Sequence, residues 1–335
     1  MRSFLAAVTL ACFSSFGPAV SAEERVSDAV PFERGDILVA ASLMDDPDDD
    51  HKGTGRILQF DHDLQLKGTL WIDSTAHKIG GLNFAPDGTL WAMAPIGWDV
   101  IEVAPDATQR PVRRFADRSF STVQFAPDGT LFFGEHLEGS KDRTPFNTTR
   151  FKYLEGRDVI GDGHVFQFTT AGELIKEYAT DTHGGVVGIH GVNGIVLTDN
   201  GTRVIYFSET GNRLMQYDVA NDKQLPDLLN GDTPGAPPMI LFLTQLPDTR
   251  LVLATGRSFL LVDQNNGAIL DEITMDDAGW AAIAPSIDDG HMLAGNFFTG
   301  EFVKLNVTTG KVVARGNIGV RESLSGIAQF PGLTK

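Results

Sequence analysis

The sequence predicts an all-β protein, a six-bladed β-propeller whose N- and C-terminal strands close one blade. Three observations carry this. "GLNFAPDGTLWAM" at 81–93 is followed by "TVQFAPDGTLFFG" at 122–134, so one strand–turn–strand phrase recurs with Gly88 and Gly129 41 positions apart. The frame continues at 193–208, 240–254, 281–295 and 325–332, where Gly201, Thr249, Gly290 and Gly332 follow at intervals of 72, 48, 41 and 42. The last copy supplies one inner strand, and the first strands of the chain lack one, so the two ends complete a single unit.

The elements follow in order. Arg2, the apolar run "FLAAVTLACFSSF" and the small residues of "VSA" at 20–22 have the layout of a signal peptide over residues 1–22. An extension, 23–35, leads to the propeller, 36–335. "DILVAAS", "GRILQFD" and "LKGTLWID" are the first strands. In the second unit Pro-Asp-Gly turns one alternating strand into the next, and "WDVIEVAPD" and "TQRPVRRFAD" add two more. The long 72-residue interval places an insertion at 136–164 in the third unit, between "LFFGEH" and "GHVFQF". The remaining units each repeat four strands in about 40 residues.

Composition bounds the function. The net charge of −17 repels nucleic acid and anionic membrane, so the expected partner is a small-molecule substrate, with a protein partner as the alternative. The single cysteine, Cys12, lies inside the signal, which leaves an exported chain, periplasmic or secreted, with neither a disulfide nor a thiol nucleophile. No G-x-S-x-G, P-loop, G-x-G-x-x-G or H-E-x-x-H motif occurs.

The repeat frame also selects one rim. In each blade the inner strand starts on that rim and the second strand returns to it. Eleven positions before the turn glycine stand His77, Arg118 and His190; eight before it stand Gly80, Ser121 and Asn193. Counting forward reaches Glu135, His136, Glu209 and Asn296, and His183 lies in the loop leading to the fourth inner strand. His77, His190 and Glu135 are the catalytic candidates, because imidazole and carboxylate move protons near neutral pH. Arg118, Ser121 and Asn296 are candidate substrate contacts. Asn193, His136, His183 and Glu209 are candidate metal ligands, imidazoles favouring a transition metal and carboxylate with amide oxygen favouring calcium.

"GVNGIVLTDNGTRVIYFSETGNRLMQYDV" at 191–219, with Asn193, Gly194, Tyr206, Asn212 and Tyr217, resembles the senescence-marker-protein/gluconolactonase group of six-bladed propellers, and the general repeat is shared with NHL-type propellers. The resemblance implies a divalent metal, usually calcium, over the channel and hydrolysis of a small lactone or ester, with Asn193 on one of the ligand positions. The sequence departs from that pattern: Ser121 stands where an Asn is expected, Ala281 near where an Asp is expected, and no Glu opens the first inner strand. A His/Glu site is similar instead to the metal-assisted virginiamycin-lyase propellers, and a non-catalytic binding propeller is the reading from outside the enzymes.

Overall fold

The computed structural model describes residues 25–45, 53–74, 78–94, 99–116, 118–136, 163–182 and 191–333. The proposed signal peptide, most of the insertion, and His77, His183 and His190 lie outside these residues. Twenty-three strands form six antiparallel sheets among the described residues. In chain order they are β1 (Ile37–Met44), β2 (Gly53–Phe60) and β3 (Leu66–Trp71); β4 (Gly80–Phe84), β5 (Leu90–Ala94) and β6 (Asp99–Val103); β7 (Phe120–Phe125), β8 (Leu131–Glu135), β9 (Val165–Phe168) and β10 (Leu174–Tyr178). The fourth blade holds β11 (Gly194–Thr198), β12 (Arg203–Phe207), β13 (Leu214–Asp218) and β14 (Lys223–Leu229). The fifth holds β15 (Phe242–Gln245), β16 (Leu251–Ala254), β17 (Ser258–Val262) and β18 (Ile269–Thr274); the sixth holds β19 (Trp280–Pro285), β20 (His291–Asn296), β21 (Glu301–Asn306) and β22 (Val312–Asn317).

The ring closes as the sequence predicts. β23 (Gly326–Gln329) is the inner strand of the first blade and pairs antiparallel with β1, from Ile37 opposite Gln329 to Ala40 opposite Gly326. The six inner strands touch in the order β23, β4, β7, β11, β15, β19 and back to β23.

Each blade is buried on both faces, so its middle strands are apolar throughout rather than alternating. β8 shows how the two faces are used. Leu131 and Phe133 point toward the second blade, beside Trp91 and Met93, and Phe132 points toward the fourth, beside Tyr178 and Ile195. The core accordingly divides into six clusters, each filling the space between two consecutive blades.

Two departures from the four-strand pattern have local causes. In the second blade the expected fourth strand is reduced to the isolated bridges Val100–Arg113 and Val103–Gln109, because Pro111 between them has no N–H to give a ladder. Residues 25–35 lie along the outside of the first blade. Asp28 exchanges hydrogen bonds with Thr69, Ser27 Oγ accepts from the Trp71 N–H, and Phe32 packs on Phe84 and Phe330. The extension thereby covers the edge strand β3.

The channel is a cavity of about 460 Å³ running from Gly81 and Gly194 to Pro247, in the turn after β15, and Pro331, just after β23. Leu82, Phe84, Ile195, Leu243 and Ile327 line it together with Gln124, Thr244 and Gln245, and none of its described lining residues is charged. Among the described residues, charged groups thus meet a channel ligand only at its mouths.

Candidate functional site at the strand-start rim

Three of the residues selected by the repeat frame meet at the mouth where the inner strands begin. Asn193 immediately precedes β11, Glu209 follows β12, and His136 follows β8 of the neighbouring blade. The Asn193 amide holds both of the others. Its Oδ1 accepts from the Glu209 backbone N–H at 2.8 Å, while Nδ2 donates to His136 Nδ1 at 2.9 Å and to Glu209 Oε2 at 3.3 Å. All three side chains are half-buried.

The backbone makes this meeting possible. The His136 N–H donates to the Ser119 carbonyl and the Val192 N–H donates to the Glu135 carbonyl, so the third and fourth blades are stitched together at the site. Gly191, at φ +154°, sits where an added Cβ would lie 1.9 Å from the His136 carbonyl oxygen, and only glycine permits that approach. Directly after Glu209, Thr210 adopts φ +58°, a costly left-handed conformation for a β-branched residue, held by hydrogen bonds from the Thr210 N–H to Ile240 and from Gly211 to Ser208.

Electrostatics keep the imidazole neutral. Burial lowers the His136 pKa below the ordinary imidazole range; the Glu209 carboxylate opposes that shift and the Lys78 ammonium adds to it. Lys78 also stands over the ring of Phe297 at 5.2 Å, although the one residue begins the second blade and the other belongs to the sixth. A cation and an aromatic ring thus face each other across the mouth.

Neither Lys78 nor Phe297 was singled out by the sequence. Each is adjacent to a residue that was, His77 and Asn296, but the pairing joins the two blades on either side of the first and leaves no periodic trace.

The other selected residues are placed elsewhere. Glu135 is fully buried: its Oε2 accepts from the Gly163 and His164 N–H groups, where the chain returns from the insertion, and Oε1 is 3.5 Å from Arg118 Nη1. Burial raises the Glu135 pKa, against the pull of Arg118 and of the two N–H donors. Arg118 is spent on this pair and on the face of Phe166. Ser121 donates to the Val192 carbonyl at 2.7 Å, a clasp to the next blade, and Ser325, at the corresponding place in the last copy, donates in the same way to the Ile79 carbonyl. Asn296 is buried, its Nδ2 donating to the Ala278 carbonyl in the loop before β19 and its Oδ1 accepting from the Phe298 and Thr299 N–H groups of its own turn.

The metal implied by the resemblance would have to draw on these donors. Asn193 Oδ1 is committed to a backbone N–H, His136 Nδ1 to the Asn193 amide, and no group of three His, Cys, Asp or Glu converges among the described residues. The described residues do not fit a metal.

No protein-family model matches the sequence, and no curated protein matches it. Solved structures do. The chain is similar to one in the crystal structure of a nidogen/laminin complex, at 11% identity and TM-score 0.60 over 87% of this chain and 97% of that one. It is similar to a protein of unknown function from Bacteroides caccae, at 11% identity and TM-score 0.60 over 90% and 100%. It is also similar to a catalytically inactive virginiamycin B lyase from Staphylococcus aureus with quinupristin, at 11% identity and TM-score 0.53 over 90% and 95%. At this identity the likeness establishes the propeller fold, which is shared by a lyase and by a chain from a protein–protein complex.

Proposed function

We propose that this chain is an exported propeller hydrolase that opens a small lactone or ester at the strand-start mouth. One observation carries the reading: an imidazole, an amide and a carboxylate from two blades form a single hydrogen-bonded cluster at that mouth, with the Lys78 charge close enough to act on it. The uncharged channel below the cluster and the net charge of −17 around it both favour a small, uncharged reacting group over a polyanion.

In this reading Glu209 takes a proton from water as the water oxygen bonds to the ester carbon. The carbonyl oxygen, which gains the negative charge, lies toward His136 and Lys78. The carbon–oxygen bond to the leaving group then breaks, and the leaving alkoxide takes the proton back from Glu209. The layout of residues 1–22 supports export. The gluconolactonase-like resemblance supports the choice of substrate through Asn193, although the amide is used differently here.

The test is turnover of a panel of lactones and aryl esters. Glu209→Gln is expected to lower kcat at least about 100-fold while the melting temperature stays unchanged. Full activity in that variant, or no turnover by the wild-type chain across the panel, overturns the reading. The second reading is a binding propeller with a protein partner. The observation in its favour is Phe298, 48% exposed on the same rim beside Phe297.

A further inference from the structure

Asn193 is the residue on which the resemblance places a metal ligand, and its bonds assign it other work. A backbone N–H can donate only to the amide oxygen, so the Glu209 N–H at 2.8 Å from Oδ1 fixes which end of the Asn193 amide is which. Nδ2 then has two protons and two acceptors, Glu209 Oε2 at 3.3 Å and His136 Nδ1 at 2.9 Å. An imidazole nitrogen that accepts a hydrogen bond has no proton of its own. In a neutral ring the proton is therefore on the other nitrogen.

We propose that Asn193 is a positioning residue that fixes the His136 proton on Nε2, making the imidazole a hydrogen-bond donor to the substrate rather than a metal ligand or a base. Nδ1 is closed to a metal by the amide, and Nε2 is closed to one by its proton. Neither nitrogen can take a proton from a nucleophile without breaking the bond to Asn193. The one ring hydrogen bond that His136 makes among the described residues is at Nδ1, so the Nε2 N–H is the group left to meet a ligand. The acceptor that matches it is an oxygen that gains negative charge. A carbonyl oxygen becoming an alkoxide is the case required by the hydrolase reading, on which the identity of the acceptor rests.

The tautomer is observable without knowing the substrate. The test is a long-range ¹H–¹⁵N correlation spectrum of the mature chain labelled with ¹⁵N-histidine, with the His136 signals assigned by their loss in His136→Gln. At neutral pH the expected pattern is an unprotonated Nδ1 and a protonated Nε2, unaltered by millimolar calcium. Asn193→Asp replaces the donor facing Nδ1 with a carboxylate oxygen, so the variant is expected to show the reverse, with Nδ1 protonated. A wild-type ring protonated on Nδ1, an averaged pattern, a ring that responds to calcium, or an unchanged tautomer in a folded Asn193→Asp overturns the inference. If that variant does not fold, the wild-type pattern decides alone. The two proposals fail separately: absence of turnover on the ester panel removes the hydrolase and leaves the tautomer standing, and a reversed tautomer with full turnover removes only the role given to Asn193.

Discussion

At the scale of single residues, the His136 environment has a consequence for stability. Burial, with Lys78 beside it, lowers the affinity of the folded ring for a proton, and Glu209 only partly offsets this. The unfolded chain protonates the same ring near about pH 6.5. As pH falls below that value the unfolded state binds a proton that the folded state refuses, so stability is lost on acidification, by at most about 1.4 kcal/mol per pH unit from this one group. The loss ends where the folded ring finally titrates. Urea denaturation at several values between neutral pH and pH 5 should show a shallower decline in His136→Gln than in the wild type; equal slopes would mean that the folded imidazole titrates normally.

How legible the site was also turns on individual residues. Counting from the turn glycines found His136, Asn193 and Glu209, because a register count measures position along a strand and a rim is a set of equal positions. The same count reaches Glu135, Ser121 and Asn296, and a register count says nothing of their bonds. Ser121 is spent on the carbonyl of Val192, and Asn296 on two N–H groups of its own turn and the Ala278 carbonyl before β19. Such bonds depend on the neighbouring backbone in three dimensions, and no periodicity records them.

At the scale of the strand pair, the repeat rests on one backbone conformation. Gly88, Gly129, Gly201, Gly290 and Gly332 have φ between +70° and +90°, and Thr249 occupies the same frame position with φ +74°. The phrase is therefore conserved in shape even where the glycine is gone, which is why the spacing was readable across a residue change. A β-branched residue in the left-handed region is strained, whereas glycine adopts it without steric cost. Thr249 is exposed, and its N–H donates to the Leu246 carbonyl, a bond that glycine keeps. Thr249→Gly is therefore expected to stabilise the protein by about 1 kcal/mol, less the entropy that glycine adds to the unfolded chain. Chemical denaturation decides the sign, and a clear destabilisation would show that the left-handed turn is not strained. The second blade teaches the opposite lesson, since alternation in "TQRPVRRFAD" predicts a strand that the missing N–H of Pro111 reduces to two bridges.

At the scale of the whole molecule, closure decides how the protein unfolds. A linear array of sheets exchanges contacts only with neighbours and can fray from its ends. Here the ends are joined, since β23 pairs with β1 and Phe330 packs on Phe32 of the extension and Phe84 of the second blade. Ile327 fills the space between the sixth and first blades, and Phe330 that between the first and second. Lys304 of the sixth blade and His62 of the first meet at Asp288, adding a polar pin to the same junction. Loosening the junction at one point should thus weaken every blade together. Phe330→Ala removes a ring that is 2% exposed and leaves a cavity among three segments, at a cost of about 3–5 kcal/mol. The expected result is one cooperative transition, shifted to lower urea, with the fluorescence of Trp91 in the second blade and Trp280 in the sixth lost at the same midpoint when each is followed in a single-tryptophan background. Two separated midpoints would mean that the blades unfold in sequence and that the closed ring does not make the six sheets one cooperative unit.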